Sequence, residues 1–197
     1  MTLADGRTID SATTRGVLNR LLSVAPDDLI TAHPDDRDYA TQEQFAYFLS
    51  WLSSLPAPTL NPPTPQGLSG QWRHAAEWTW LALQAGLAVV PYAQSARGLA
   101  ANPATAAEYA TGATIGLTVL VIGPHVVGDD VPDDLAAACR RLAALARTPL
   151  LGVDFAVHRT GTHQFVQATP WPDLRVGGEQ ALDALASALR DEPGSRR

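Results

Sequence analysis

Apolar positions along this chain alternate between two spacings, and the switch marks its elements. Phe45, Phe48, Leu49, Leu52 and Leu55 recur three and four residues apart, which predicts a helix with one buried stripe, stopped by Pro56 and Pro58. His33-Pro34-Asp35-Asp36 opens that helix, with carboxylates in its first turn where the helix dipole favours them. Upstream, Leu3 to Leu22 reads as a short hairpin or strand pair leading into Gly16-Val17-Leu18-Asn19-Arg20-Leu21. A brief strand, Thr59-Leu60-Asn61, runs into a Pro-rich loop over 62–67. A second helix covers about Arg73 to Ala85, Gly86 ends it, and a strand from Leu87 to Tyr92 follows.

The C-terminal half repeats the contrast. Strands Thr118 to Ile122 and His125 to Gly128 flank a Gly123-Pro124 turn, and a helix runs from Pro132 to Arg147. The apolar runs Leu150 to Val157 and Gln164 to Ala168 flank the polar stretch Arg159-Thr160-Gly161-Thr162, the pattern of a hairpin. A last helix spans Gly178 to Arg190. Pairing in register about the hairpin loop sets His158 opposite His163 and Asp154 opposite Gln167. Strand alternation then places Asp154, Ala156, His158, His163, Phe165, Gln167 and Thr169 on one face. Val153, Phe155, Val157, Val166 and Ala168 make the other face core. Between Tyr92 and Thr118 lies an Ala-, Thr- and Gly-rich interval in which Asn102-Pro103 could start one short helix.

Composition narrows the chemistry. The 197 residues fit one domain, or one with a small appendage, and 46% hydrophobic against 17% charged residues is globular. All 14 basic residues are Arg, so Schiff-base, pyridoxal-phosphate and phosphate-loop chemistry that needs Lys is excluded, although an Arg- and Ala-favouring GC-rich genome gives the same bias. Net charge is −6 and the only basic pairs are Arg140-Arg141 and Arg196-Arg197, which argues against a nucleic-acid partner. Cys139 falls in the stripe Leu135, Ala136, Cys139, Leu142, Ala146 and reads as core rather than nucleophile. No apolar run is long enough for a bilayer and residues 1–6 lack signal-peptide character, so no membrane association and a cytoplasmic location are expected.

Other candidates carry less. His33, His74 and His125 are scattered, and no Gly-x-Ser-x-Gly elbow is present. His158 and His163 could form a metal pair only with a third ligand, and no Cys or Glu lies at ligand spacing. Trp51, Trp72, Trp78 and Trp80 read as core or interface; Trp171, between Pro170 and Pro172, is the one expected to border a pocket. Gly177-Gly178 before Glu179 reads as a helix start more than as an anion site.

The run Gly152-Val153-Asp154-Phe155, with Gln167 thirteen positions beyond Asp154 and Thr169-Pro170 after it, resembles the metal-holding hairpin of ATP-grasp ligases. In that family an Asp and a Glu-x-Asn hold the Mg²⁺ that bridges nucleotide phosphates. Those positions fall here on Asp154, Gln167 and Thr169, and only the first is a carboxylate. Asn19-Arg20, Leu60-Asn61, and Ala85-Gly86-Leu87 with Val90-Pro91 are similar to the family's pre-grasp part, whose helix Lys falls on Ala75. The 25 residues of 93–117 cannot build the family's lid.

The resemblance implies an α/β (α+β) fold, a compact mixed sheet with packed helices, in three segments: pre-grasp-like 1–92, a linker 93–117 in place of the lid, and an ATP-grasp-like 118–192. It implies a catalytically degenerate binding or accessory subunit in peptide or amino-acid modification, with no catalytic residue and no metal site. Asp154, Gln167 and Thr169 are its degenerate metal positions, and Trp171, Arg175, Asn19, Arg20 and Asn61 its substrate groove. No cofactor is expected; ATP and Mg²⁺ enter only under the alternative, a carboxylate-amine ligase completed by a partner chain. A structural dimer module is the third reading. Expected partners are a complete ATP-grasp ligase or a peptide substrate, in a homodimer or hetero-oligomer.

Overall fold

The computed structural model describes residues 5–8, 10–24, 29, 32–89, 115–157 and 161–190. In chain order these form β1 (Val17–Leu18), α1 (Arg37–Ser54) after a 3-10 turn Pro34–Asp36, β2 (Thr59–Leu60) and α2 (Ala75–Gln84). Then come β3 (Ile115–Ile122), β4 (His125–Val127), α3 (Asp133–Ala146), β5 (Leu150–Val157), β6 (His163–Thr169), a 3-10 turn Leu174–Gly177 and α4 (Gly178–Arg190). The expected α+β architecture is present: a four-stranded antiparallel sheet ordered β4-β3-β5-β6 and a separate two-stranded parallel sheet of β1 and β2.

Burial on both faces explains why β3 and the start of β5 are continuously apolar rather than alternating. Val119, Val121, Leu151, Val153 and Phe155 point to one side, where Trp78 and Leu81 of α2 and Leu142 of α3 complete a core. Leu120, Ile122 and Leu150 point to the other, where Ala181, Ala184 and Leu185 of α4 cover them. The helix covers only one end of this second face. Among the described residues no helix covers the end carrying Thr118, Asp154 and Gln167.

Several expectations are corrected. Among the described residues the N-terminal segment forms no hairpin: β1 pairs in parallel with β2, and α1 is the crossover that a parallel pair requires. The α1 stripe is only half-buried, with Leu52 its one buried residue, because this helix lies at the margin of the fold. Leu87 to Val89 lies along the free edge of β6, where the Phe165 N–H donates to the Ala88 carbonyl at 2.7 Å. The rest of that predicted strand, Val90-Pro91 to Tyr92, lies outside the described residues, as do Asn102-Pro103, most of the 93–117 interval, His158 and Arg196-Arg197.

The hairpin register also needs correcting. Gly152, Val153 and Asp154 face Thr169, Ala168 and Gln167 as expected, but a bulge between the Asp154 and Phe155 pairs shifts the remainder by one. Val157, not His158, faces His163, and Phe165 faces Phe155. An extra residue in one strand reverses the alternation beyond it. Phe165 therefore joins the core at 2% exposure instead of sharing the open face with Asp154. Among the described residues no helix is long and apolar enough to cross a membrane.

Candidate functional site

The open end of the sheet is built around one carboxylate. Register brings Thr118 of β3 and Gln167 of β6 to either side of Asp154 on β5. The Thr118 hydroxyl donates to Asp154 Oδ1 at 2.7 Å, and the Gln167 amide Nε2 donates to Oδ2 at 2.8 Å. Each carboxylate oxygen therefore has an internal donor, and the three side chains tie three strands together. Thr118 was not legible as part of this group, since its pairing with Asp154 bridges 36 residues and a helix.

This donor set does not fit Mg²⁺. The ion takes a near-octahedral shell of anionic or carbonyl oxygens and gives up water reluctantly. Here a single carboxylate is present, and the neighbouring Gln167 amide offers it an N–H donor rather than an anionic oxygen. The third position, Thr169, is spent elsewhere: its hydroxyl accepts the Trp171 N–H at 3.1 Å and fixes the turn after β6. Among the described residues no group of three or more His, Cys, Asp and Glu side chains is placed to hold a metal.

Beside this triad the segment after β6 folds back across the sheet. Gly152 permits it, because a Cβ there would meet Pro172 at 2.7 Å. Trp171, 44% exposed, is clasped by Arg20 in both directions. Its indole N–H donates to the Arg20 carbonyl at 3.1 Å, while the guanidinium stacks 4.8 Å from the ring centroid and donates to the Pro172 carbonyl at 2.8 Å. Partial burial lowers the Arg20 pKa, against an opposing pull from Asp173. Asp173 and Arg175 form an exposed ion pair, 2.7 Å from Nη2 to Oδ2. Hydrogen bonds from Arg175 hold the Asp173 pKa down at about 2, and the same pair raises that of Arg175.

The two asparagines of the predicted groove lie beneath it. Asn19 is buried and donates to the carbonyls of Asn61 and Leu68 at 2.9 and 2.5 Å. Asn61, fully buried, bonds the backbone of Leu150 and Pro170. These side chains anchor β1 and β2 under the sheet, so of the residues expected to line a groove Trp171 and Arg175 are exposed and Arg20 is half-buried. The remaining candidates are structural. His33 and His74 cap the 3-10 turn and α2, and His125 bonds Ser187. Trp78 is core, while Trp72 and Trp80 are exposed. Gly177 is packed so closely that a Cβ would strike Ala181 at 2.7 Å.

No protein-family model and no curated protein matches the sequence. The fold, however, is that of the ATP-grasp ligases. Macrocyclase MdnB from Microcystis aeruginosa MRC superposes with a TM-score of 0.62 at 19% identity, over 95% of this chain and 76% of that one. MdnC of the same organism, solved bound to its precursor peptide MdnA, gives 0.67 at 12% identity over 95% and 80%. The ATP-grasp ligase PsnB, solved with a variant of its minimal precursor, Mg and ADP, gives 0.59 at 13% over 87% and 77%. At these identities the likeness establishes the fold.

Proposed function

We propose that this chain is a catalytically silent, peptide-binding accessory subunit built on the ATP-grasp fold and acting in peptide or amino-acid modification. The observation that carries the reading is the closed triad: both Asp154 oxygens are satisfied by Thr118 and Gln167. Absence of Lys removes the usual flexible phosphate-binding cation as well. A peptide partner is supported by the solved complexes of MdnC and PsnB with their precursors.

Thermal denaturation with Mg²⁺ and ATP tests the silent part. A site filled at a hundredfold its Kd would stabilise by about 2.7 kcal/mol, roughly five to ten degrees for a chain of this size. No shift is expected, and a nucleotide- and Mg²⁺-dependent rise would sink the proposal. A second reading, a carboxylate-amine ligase completed by a partner chain, draws on one observation: part of each relative has no aligned counterpart here. ADP release that required both this chain and a second ATP-grasp protein would favour it.

A further inference from the structure

A cleft of about 1290 Å³ opens at the other end of the sheet from Asp154, near the start of β5. Leu52 and Leu55 of α1, with Pro58 and Pro63 around β2, make one wall apolar. The facing wall is α3 and its cap, where Arg140 and Arg147 flank the small side chains of Ala143 and Ala144. Among the described residues neither guanidinium has a hydrogen-bond or ion-pair partner. Neighbouring Arg141, by contrast, is committed to the Ala85 carbonyl at 3.0 Å. In a chain of net charge −6, two free cations over an apolar floor make a local positive site.

The spacing of those cations selects a ligand geometry. Arg140 on α3 and Arg147 at its C-cap both line the cleft seven residues apart, about 10 Å along the helix axis between their backbones. A polyproline II peptide advances about 3.1 Å per residue with three residues per turn, so side chains three apart share a side and span about 9 Å. Five prolines line the cleft, Pro58, Pro62, Pro63, Pro124 and Pro149, and give it rigid apolar surface with no N–H of their own to satisfy. Arg147 also occupies the left-handed C-cap of α3 (φ 52°), a place helices commonly give to glycine, so a long cationic side chain is retained there at the rim. On the opposite wall, β2 bonds β1 through the Pro58 and Leu60 carbonyls, which turns the Thr59 backbone away from β1 on the side of the cleft.

We propose that this cleft binds an extended acidic peptide segment. Carboxylates three residues apart meet Arg140 and Arg147, and the apolar side chains between them lie against Leu52, Leu55 and the prolines. The proposal rests on reading the chain as a peptide-binding subunit and names the surface and peptide chemistry for it.

The test is to pan a random dodecapeptide phage library on the whole chain and measure a labelled synthetic copy of the leading clone by fluorescence anisotropy. Enriched clones should carry acidic residues spaced by three. Affinity should fall roughly tenfold or more in Arg140→Glu/Arg147→Glu, and should weaken with salt in the unsubstituted chain. It should be unchanged in Arg15→Glu/Arg190→Glu, which alters net charge equally. Arg140→Gln, a milder change at an exposed site, should give an intermediate loss. Binding that ignores both arginines but is lost in Trp171→Ala would overturn the cleft and leave the peptide-binding reading standing. No enrichment at all would overturn both. A homodimer in sedimentation that Arg140→Glu/Arg147→Glu dissociates would assign the cleft to a second copy of the chain and overturn the peptide assignment.

Discussion

Asn61 grips Leu150 twice: its Oδ1 accepts the Leu150 N–H at 2.9 Å while its Nδ2 donates to the Leu150 carbonyl at 2.7 Å. The same Nδ2 reaches the Pro170 carbonyl at 2.6 Å, so one fully buried amide joins β2 to the start of β5 and the end of β6. Its backbone is left-handed, φ 57°, a conformation that Asn tolerates. Asn61→Ala strands buried backbone groups at both strands and should cost about 2–4 kcal/mol in urea denaturation. Asn61→Gly relieves the backbone by about 1 kcal/mol and no more. A glycine variant as stable as the original protein would show that the amide bonds contribute little.

The contrast between Asn61 and Phe165 shows what the amino-acid pattern carries and what it leaves out. Helices α2, α3 and α4 and the strands around Gly123-Pro124 follow from local periodicity and one turn, whereas the Asp154–Gln167 pairing needs the bulge, since the register at the loop, Val157 opposite His163, would carry Val166 to Asp154. The bulge itself does not follow, because Phe165-Val166 offers two adjacent apolar residues and alternation alone cannot tell which of them enters the core. Asn19 and Asn61 were legible as positions shared with a known fold, but their role as backbone clamps depends on contacts 42 to 109 residues away. Thr118 escaped for the same reason.

Gln167→Glu would set a second carboxylate against Asp154, now 2.8 Å from the amide nitrogen. Repulsion at this half-open site should destabilise by about 1–2 kcal/mol at neutral pH. Because a like charge raises the folded-state pKa of one member of the pair, the penalty is present at neutral pH and disappears as pH falls through that raised value. Two carboxylates are also ligands for a hard cation. Mn²⁺ or Mg²⁺ should restore the variant's melting temperature while leaving the original protein unmoved. Identical melting of both proteins with and without the ion would remove the claim that Gln167 stands where a cation would be held.

Asp173 should be visible in solution as an unusually acidic carboxyl. Its pKa is held at about 2 against an ordinary 3.8 by hydrogen bonds from Arg175. A depressed folded value means its contribution to stability is complete above 3.8 and is lost as pH falls from there toward 2. The pair is exposed, so the effect on the unfolding midpoint should be small. Carboxyl-carbon NMR titration measures the site itself, and Arg175→Gln should return Asp173 toward its ordinary range. A titration unchanged by that substitution would point to another source of the shift.

Cys139 lies on the buried side of α3 with no exposed surface, and burial drives its pKa up to about 12, against a smaller opposing influence of Arg140. At pH 8 the folded thiolate is then on the order of one molecule in ten thousand, and the sulfur is sterically closed as well. Iodoacetamide should label it only at the rate of global opening, with labelling accelerated by urea in step with the loss of structure. The same shift has a consequence in alkali. The unfolded thiol ionises near 9.0 while the folded one resists until about 12, so the unfolded state binds fewer protons across that interval and stability declines as pH rises through it. Cys139→Ala should lose part of this alkaline sensitivity, at the cost of a small cavity against Leu142 and the sheet. Rapid labelling under native conditions would mean that α3 opens locally far more often than its burial implies.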